Sequence, residues 1–201
     1  DLVGTLIIHN DTFTSNYGAN SASIQLLISK NIKANIEIDS SLFQNNKSQG
    51  GNLSIFKTGQ QNPNDSLLIS LYNTTFSENK IQENDGGALE ILTYFGYCRL
   101  NINNCNFDKN LAQNDGGVFF IENGYEFDLN INNCIFSNNK VNSNQGFGVL
   151  FYRSNLLNNS IIDKTRININ NSLFYNNKDC FGILNGIIGT IDTKITNCTF
   201  F

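Results

Sequence analysis

The stretch Asn104-Cys-Asn-Phe-Asp-Lys-Asn110 contains the pattern that decides the fold, because the same pattern recurs along the whole chain. Its centre is a Phe, and five positions before each such Phe stands Ile or Leu. Three positions before Phe the residue is Asn in six of seven copies, and Asn also stands three positions after Phe wherever the chain continues. A repeat of this kind predicts a stack of similar coils. The repeated residues are Phe13, Phe43, Phe76, Phe107, Phe136, Phe174 and Phe200.

The spacing of the copies and their apolar residues indicate β-structure. Successive Phe residues are 30, 33, 31, 29, 38 and 26 positions apart, so the motif is constant while the connections vary. Apolar residues alternate before Phe, as in Leu129-Asn-Ile131, which is the period of a half-buried strand. A second segment opens with glycines and ends in an apolar strand, as in Gly86-Gly-Ala-Leu-Glu-Ile91. We therefore predict an all-β parallel β-helix, or solenoid, of about six to seven coils with variable loop insertions.

The Asn columns have a physical reason in such a stack. A side-chain amide offers donors and an acceptor, so copies about 4.8 Å apart in neighbouring coils can form a hydrogen-bonded ladder. Asn also tolerates the left-handed backbone of a sharp corner, and its odd spacing from Phe requires a bend between the two. We predict a structural ladder in the column before Phe, formed by Asn10, Asn73, Asn104, Asn133, Asn171 and Asn197.

Two paired strings resemble a known group of repeats. They are Asn73-Thr-Thr-Phe-Ser-Glu-Asn79 with Gly86-Gly-Ala-Leu89, and Asn104-Cys-Asn-Phe-Asp-Lys-Asn110 with Gly116-Gly-Val-Phe119. These strings resemble the FxxN and GGAI-type repeats of bacterial polymorphic outer-membrane autotransporter passengers, and the right-handed, pectin-lyase-like β-helix in general. The resemblance covers nearly the whole chain and implies the architecture. It implies no single activity, because adhesins, lyases, hydrolases and structural spikes share that fold.

Length and charge exclude several classes of protein. The 201 residues suffice for one elongated domain with a sizeable interior, so we expect residues 1–201 to form a single β-helix domain. A net charge of −4 leaves no basic stripe, which argues against nucleic acid or an anionic membrane surface as a partner. No apolar run is long enough to span a membrane, and no cofactor motif occurs.

The ends of the sequence lack the polar coils that usually cap a solenoid. The chain starts less than one coil before the first Phe and stops at Phe200-Phe201, directly after a complete motif. An uncovered coil leaves apolar side chains and strand edges open. We therefore expect this segment to belong to a longer chain or an assembly, with further coils, another domain or a second copy stacked on its ends.

Glycosylation signals are frequent, but their positions differ in value. The pattern Asn-x-Ser/Thr occurs eight times, which is near chance for a chain so rich in Asn. Asn64 and Asn158 lie in loop insertions between coils, and strand alternation places Asn170 outward. With Asn52, these are the candidates for covalent N-glycans if the protein is secreted.

The five cysteines suggest structural roles. Cys105, Cys134 and Cys198 share the column two before Phe, where a small side chain in a corner is the simplest interpretation. Cys105 and Cys134 stand in consecutive coils, with Cα atoms about 5 Å apart, which allows a disulfide. The sequence has no CxxC pair and one His, so it offers no His/Cys zinc site.

Acidic residues form no obvious catalytic cluster. Amides dominate the outward columns before Phe, and an amide cannot serve as a general acid or base. The repeated Asn-Asp-Gly-Gly string stacks Asp85 over Asp115, and Glu90 and Glu122 follow in nearby strands. Asp85 and Asp115 form a weak candidate for calcium, but a simple Asx corner is favoured, because two carboxylates make a poor cage for a hard cation.

Two function classes remain, with a calcium-responsive spacer as a marginal third. We expect a non-catalytic structural or adhesive module, extracellular or on the cell surface, that acts as a rigid rod and self-associates through its ends. The alternative is a carbohydrate-binding or carbohydrate-active domain, lyase-like or hydrolase-like, that uses the outward amide rows. The scarcity of acids and aromatic rings on those rows favours the rod. The rows are Asn101, Asn130 and Asn168, and beside them Asn103, Asn132 and Asn170.

Overall fold

The chain forms a parallel β-solenoid. The computed structural model describes residues 2–29, 32–58, 65–94, 96–143, 148–154, 164–178 and 190–201. All regular elements within these ranges are β-strands, and each strand pairs in parallel with the equivalent strand of the next coil. The predicted all-β fold and parallel stacking are therefore confirmed.

The strands make four sheets that run along the stack. The first sheet holds β1 (Leu2–His9), β5 (Ile32–Asp39), β9 (Ser66–Tyr72), β13 (Tyr97–Asn103), β17 (Phe127–Asn132), β21 (Lys164–Asn170) and β23 (Thr190–Thr196). The second holds β2 (Thr12–Thr14), β6 (Leu42–Gln44), β10 (Thr75–Ser77), β14 (Asn106–Asp108), β18 (Ile135–Ser137), β22 (Leu173–Tyr175) and β24 (Thr199–Phe200). The third holds β3 (Tyr17–Gly18), β7 (Lys47–Ser48), β11 (Lys80–Ile81), β15 (Leu111–Ala112) and β19 (Lys140–Val141). The fourth holds β4 (Ile24–Ser29), β8 (Leu53–Thr58), β12 (Leu89–Thr93), β16 (Phe119–Asn123) and β20 (Leu150–Ser154).

The number of complete turns is smaller than the motif count predicts. All four sheets run together over five successive strands, which corresponds to about four turns rather than six to seven. The copies at Phe174 and Phe200 lie in β22 and β24, and within the described residues these last coils extend only the first two sheets. The two counts differ because the first two sheets contain seven strands each, one for every copy of the motif, whereas the third and fourth sheets contain five each within the described residues.

The repeated Phe residues form one continuous stack inside the solenoid. Consecutive rings lie with centroids 4.5–5.4 Å apart and planes within 14° of parallel. Phe43, Phe76, Phe107 and Phe136 are fully buried, and the aliphatic column five positions earlier packs in the same core. Because consecutive rings of this column belong to adjacent coils and stack face to face, the column holds the coils in register. Phe119 of the fourth sheet packs edge-on against Phe107 and Phe136.

The column before Phe forms a corner. Its residues, Asn10, Ser40, Asn73, Asn104, Asn133, Asn171 and Asn197, all have positive φ, between 48° and 57°. A second positive-φ corner follows two residues after each of the first six Phe, so the expected bend between Asn and Phe is present. The Asn side chains of this column are exposed, and Asn104 reaches Asn73 at only 3.4 Å. The main role of Asn in this column is therefore to adopt the left-handed backbone conformation, and the column does not form a buried ladder.

The buried ladder lies in the other Asn column, three positions after Phe. In each coil the backbone N–H and the side-chain amide of this Asn donate to Oδ1 of the equivalent Asn in the next coil. The same amide nitrogen also donates to the carbonyl of a Phe in the preceding coil, as Asn110 does to Phe76 at 2.9 Å. These bonds satisfy each amide in the interior. The ladder runs through Asn16, Asn46, Asn79, Asn110, Asn139 and Asn177.

Replacing a buried rung should destabilise the fold far more than replacing a corner Asn. Asn110→Ala leaves the backbone N–H of Asn79 and the carbonyl of Phe76 without their partners, so we expect the unfolding free energy to fall by about 3 kcal/mol. Chemical denaturation measures the loss.

Two substitutions at Asn104 provide the matched control. Asn104→Ala should cost about 1 kcal/mol, because Ala tolerates positive φ poorly, and Asn104→Gly should be close to neutral. Equal losses for Asn110→Ala and Asn104→Ala would remove the buried ladder as a distinct source of stability.

Candidate functional site

A groove of about 380 Å³ lies against the outer face of the fourth sheet. Strand alternation creates its floor, because Leu89 and Ile91 point into the core while Glu90 and Leu92 point outward. Parallel register then places equivalent outward residues of adjacent coils side by side, as in the pairs Glu90 with Phe120 and Glu122 with Arg153. The groove therefore combines carboxylates, an arginine and aromatic rings. Its lining includes Phe56, Asp85, Glu90, Phe120, Glu122 and Arg153.

Glu90 is a buried acid of the groove. It is 8% exposed, and its Oε2 accepts hydrogen bonds from the Gly51 N–H and the Ser54 hydroxyl, both at 3.0 Å. Within the described residues its Oε1 accepts no hydrogen bond and is not enclosed, so this oxygen faces the groove. Burial raises the pKa of Glu90, and the two hydrogen bonds oppose that effect.

Gly51 allows the backbone before β8 to lie close to the side chain of Glu90. A Cβ at Gly51 would lie 2.5 Å from the Cβ of Glu90, which no side chain can tolerate. The second glycine of the Gly50-Gly51 pair is therefore required by the packing under the groove. The paired glycines that the sequence repeats thus allow the close contact of the corner with the next strand.

Asp85 lies at the corner that borders the groove. Its Oδ1 accepts the backbone N–H of Asp115 at 2.8 Å, so the carboxylates stack as predicted but one serves the backbone of the other coil. Burial raises the pKa of Asp85 to about 6, and the charges of Asp115 and Glu90 contribute in the same direction. Among the residues that the structure describes, no three His, Cys, Asp or Glu side chains come close enough to hold a metal ion. The geometry therefore lends the weak calcium site no support.

Glu122 and Arg153 form an ion pair at the other end of the groove. The Nη2 and Nε of Arg153 both donate to Oε2 of Glu122, the latter at 3.2 Å, and Glu122 is only 6% exposed. The guanidinium also lies 5.5 Å from the ring centre of Phe120, which in turn stacks on Phe151. This end of the groove therefore already holds a cation against an acid and an aromatic ring.

The sequence did not predict the groove, because the residues that line it belong to no repeated motif. Each outward row of the fourth sheet changes residue type from coil to coil, for instance Ser54, Glu90 and Phe120. The glycine pairs carry the signal that could have predicted the groove. When Gly50-Gly51, Gly86-Gly87 and Gly116-Gly117 are aligned, Ser54, Glu90 and Phe120 fall in one column.

The outward amide rows of the first sheet are present as predicted. Along one row, Asn168 donates to Asn130 and Asn130 to Asn101, each at 3.0 Å. In the neighbouring row, Asn170 donates to Asn132 at 3.1 Å and Asn132 donates to Asn103 at 3.2 Å. The amides are half-buried, and each forms at least one of its hydrogen bonds with a neighbour in the same row.

A charged clamp on the same sheet was not predicted. Asp128, which is almost fully buried, receives hydrogen bonds or ion pairs from Arg99 at 3.0 Å, Arg166 at 2.6 Å and the Tyr97 hydroxyl at 2.5 Å. Burial acts to raise the pKa of Asp128, but the bonds from Arg166, Tyr97 and Arg99 hold it below its usual value. The clamp joins three successive coils, because its members lie on β13, β17 and β21.

The four glycosylation candidates separate in the structure. Asn64 and Asn158 lie outside the described residues. Asn170 is half-buried on the outer face, with its amide in the row described above. Asn52 is fully buried, so that prediction is wrong for the folded chain: its Oδ1 accepts the Ser23 hydroxyl at 2.6 Å, and its amide nitrogen is enclosed.

The cysteine column contains free thiols. Cys105 and Cys134 are buried, and each points its sulfur at the carbonyl two residues earlier, at 3.3 Å and 3.1 Å. Ser41 and Thr74 place their hydroxyls in the same way in other coils. The two thiols interact with each other, and the pKa of Cys105 is raised by that contact and by burial. The structure therefore brings the predicted pair together but contains no bond between them.

Comparisons of the chain with protein-family models, with curated proteins and with solved structures each found no match. Within the described part of the chain, no segment forms a helix with the length and hydrophobicity that crossing a bilayer requires.

The raised pKa of Asp85 should appear in the pH dependence of stability. A folded-state pKa of about 6, above the ordinary value of 3.8 for Asp, stabilises the fold at low pH, and this contribution is lost as pH rises through 6. Asp85→Asn keeps the acceptor for Asp115 and removes the charge. At pH 7 we expect this variant to be more stable than the wild type by about 1 kcal/mol, a value that allows for solvent screening of a half-buried group.

The comparison needs denaturation curves at several pH values between 4 and 7. The gap should close towards pH 4, because the carboxyl of Asp85 is then protonated in the folded wild type. A difference between Asp85→Asn and wild type that is independent of pH would contradict this account of the groove.

Proposed function

We propose that this protein is a non-catalytic structural or adhesive module, a rigid rod that spaces or coats a surface outside the cell. The observation that carries the proposal is the continuity of the interior. The Phe stack passes through every copy of the motif, and the buried Asn ladder connects the Asn residues of six successive copies without a break. Such a stack resists bending, because each coil is bonded to the next along several parallel lines.

Self-association is also proposed, and it is supported by the exposure of two core-column residues in β23 and β24. Ile195 belongs to the aliphatic column that is buried in the middle of the stack, yet it is 40% exposed. Phe200, the last member of the ring stack, is 46% exposed. An uncovered parallel strand also offers its backbone groups for pairing. A coil of similar geometry, from this chain or from another, would cover both.

Support for an extracellular location comes from the resemblance of the repeats to surface-displayed passengers. Labelling of intact cells with an antibody to this chain tests it. Staining only after permeabilisation would contradict the proposal.

Assembly can be tested by a substitution at the open coil. Ile195→Asp adds a charge to the exposed core position, so we expect it to abolish the concentration-dependent growth that the wild type should show in analytical ultracentrifugation. The matched control is Ile135→Asp in the middle of the stack, where Ile135 is 42% exposed on the outer face of the second sheet.

The control variant should assemble like the wild type, because the side of the rod takes no part in end contacts. A wild-type chain that remains monomeric at high concentration, or equal inhibition by both substitutions, would overturn assembly through the ends.

Glycan binding is the second candidate function, and the register of the amide rows favours it. Six amides on one face form two parallel rows that present free hydrogen-bonding groups at regular intervals. If this face binds an oligosaccharide, Asn130→Leu should lower the affinity about tenfold in a glycan-binding assay, because it removes one amide from contact. Unchanged binding in Asn130→Leu would exclude these rows as the site.

A further inference from the structure

The groove on the fourth sheet contains carboxylate oxygens without partners. Glu90 presents Oε1 to the groove, and the described residues donate no hydrogen bond to this atom or to Oδ2 of Asp85. Neither acid takes part in an ion pair within the described ranges. A carboxylate that is more than nine-tenths buried, as Glu90 is, costs free energy unless a cation or hydrogen-bond donors compensate it.

The floor of the groove is apolar beside these acids. Phe56 and Leu92 are paired outward residues of β8 and β12, and both are half-buried in the lining. Acidic oxygens next to an aromatic ring suit a flat, weakly hydrated cation, which can bond to carboxylates at its edge and lie against the ring with its face.

The protein itself shows the same combination at the other end of the groove. There the guanidinium of Arg153 is bonded to the buried Glu122 and lies over Phe120. The groove thus accepts a guanidinium where the chain supplies one. It repeats the acid and ring one to two coils earlier, where no described residue forms an ion pair with Glu90 or Asp85, and the charge of Arg153 acts on Asp85 only at longer range. Its volume of about 380 Å³ lies within the range of sites for small ligands, about 300–1,000 Å³.

We propose that this groove is a binding site for a guanidinium group, such as an arginine side chain of a partner peptide, held by Glu90 and Asp85 over Phe56. The guanidinium would donate to Oε1 of Glu90 and Oδ2 of Asp85. A divalent metal fits less well, since the described residues bring no three ligating side chains together. An anionic ligand would meet three carboxylates and one arginine.

This site goes beyond the proposed function and does not depend on it. The groove lies on the side of the rod, whereas assembly uses the open last coil. End-to-end assembly can therefore be disproved while the groove still binds a guanidinium, and a protein that assembles can still lack guanidinium binding.

The test uses two probes that differ in one group. Isothermal titration of the whole 201-residue chain with Nα-acetyl-L-argininamide should give saturable binding, and the isosteric Nα-acetyl-L-citrullinamide, which lacks the charge, should bind at least about tenfold more weakly. Glu90→Gln and Asp85→Asn should each reduce affinity for the arginine probe by about tenfold, because each removes one ionic contact. Glu37→Gln, which removes the same charge from the exposed face of the first sheet, should bind like the wild type.

Several results would overturn the site. They are an absence of heat with the arginine probe, equal binding of the citrulline probe, or full affinity in Asp85→Asn. Preferential binding of a neutral oligosaccharide that is lost in Glu90→Gln would also overturn it and would move the glycan-binding function to the groove. If Glu90→Gln unfolds, Asp85→Asn decides the matter, since Asp85 lies at a half-exposed corner and Asn keeps its bond to Asp115.

Discussion

Vertical register between coils is the constraint on which this structure depends, and the buried Asn ladder is the interaction that enforces it most strictly. A hydrophobic contact tolerates a shift of one coil against the next, but an amide in the interior does not. Asn79 and Asn110 must lie directly above one another, because each satisfies the hydrogen-bonding groups of its neighbour in a place that water does not reach. The Phe stack adds apolar burial to the same alignment.

Two columns made mainly of Asn flank the repeated Phe residues, and they solve different physical problems. Before Phe the chain must turn with positive φ, and Asn is chosen for its backbone tolerance, so Ser40 can replace it in one coil. After Phe the side chain itself is needed, and there no other residue occurs in the sequence. This difference was already visible as the one exception in the first column. The prediction assigned the ladder to the wrong column because both look alike when only residue type is considered.

Most features of the repeating positions were predictable from sequence, including the outward amide rows, whereas the non-repeating groove was not. Strand type, parallel pairing, the bend at the corner and the buried Phe follow from positions that repeat in every coil. The groove depends on Glu90, Phe120 and Arg153, which share no motif and come together only through the register of the fourth sheet. The burial of Asn52 was missed for a related reason, since its place behind the glycine corner depends on contacts with the preceding coil.

This division has a consequence for where function can reside in such a chain. Every inward position is restricted by its two neighbours in the stack, so a change there alters stability before it alters recognition. Outward positions carry no such restriction, and a uniform outward row offers a ligand only repetition. A specific binding site therefore requires a row in which the side chains differ from coil to coil while the backbone geometry stays the same. The fourth sheet has such rows, running from Ser54 through Glu90 to Phe120 and from Phe56 through Leu92 to Glu122, and the groove lies against them. A rigid repetitive interior and an irregular acidic groove are thus two results of the same register, because the alignment that makes the core uniform also holds unlike side chains at fixed distances on its surface.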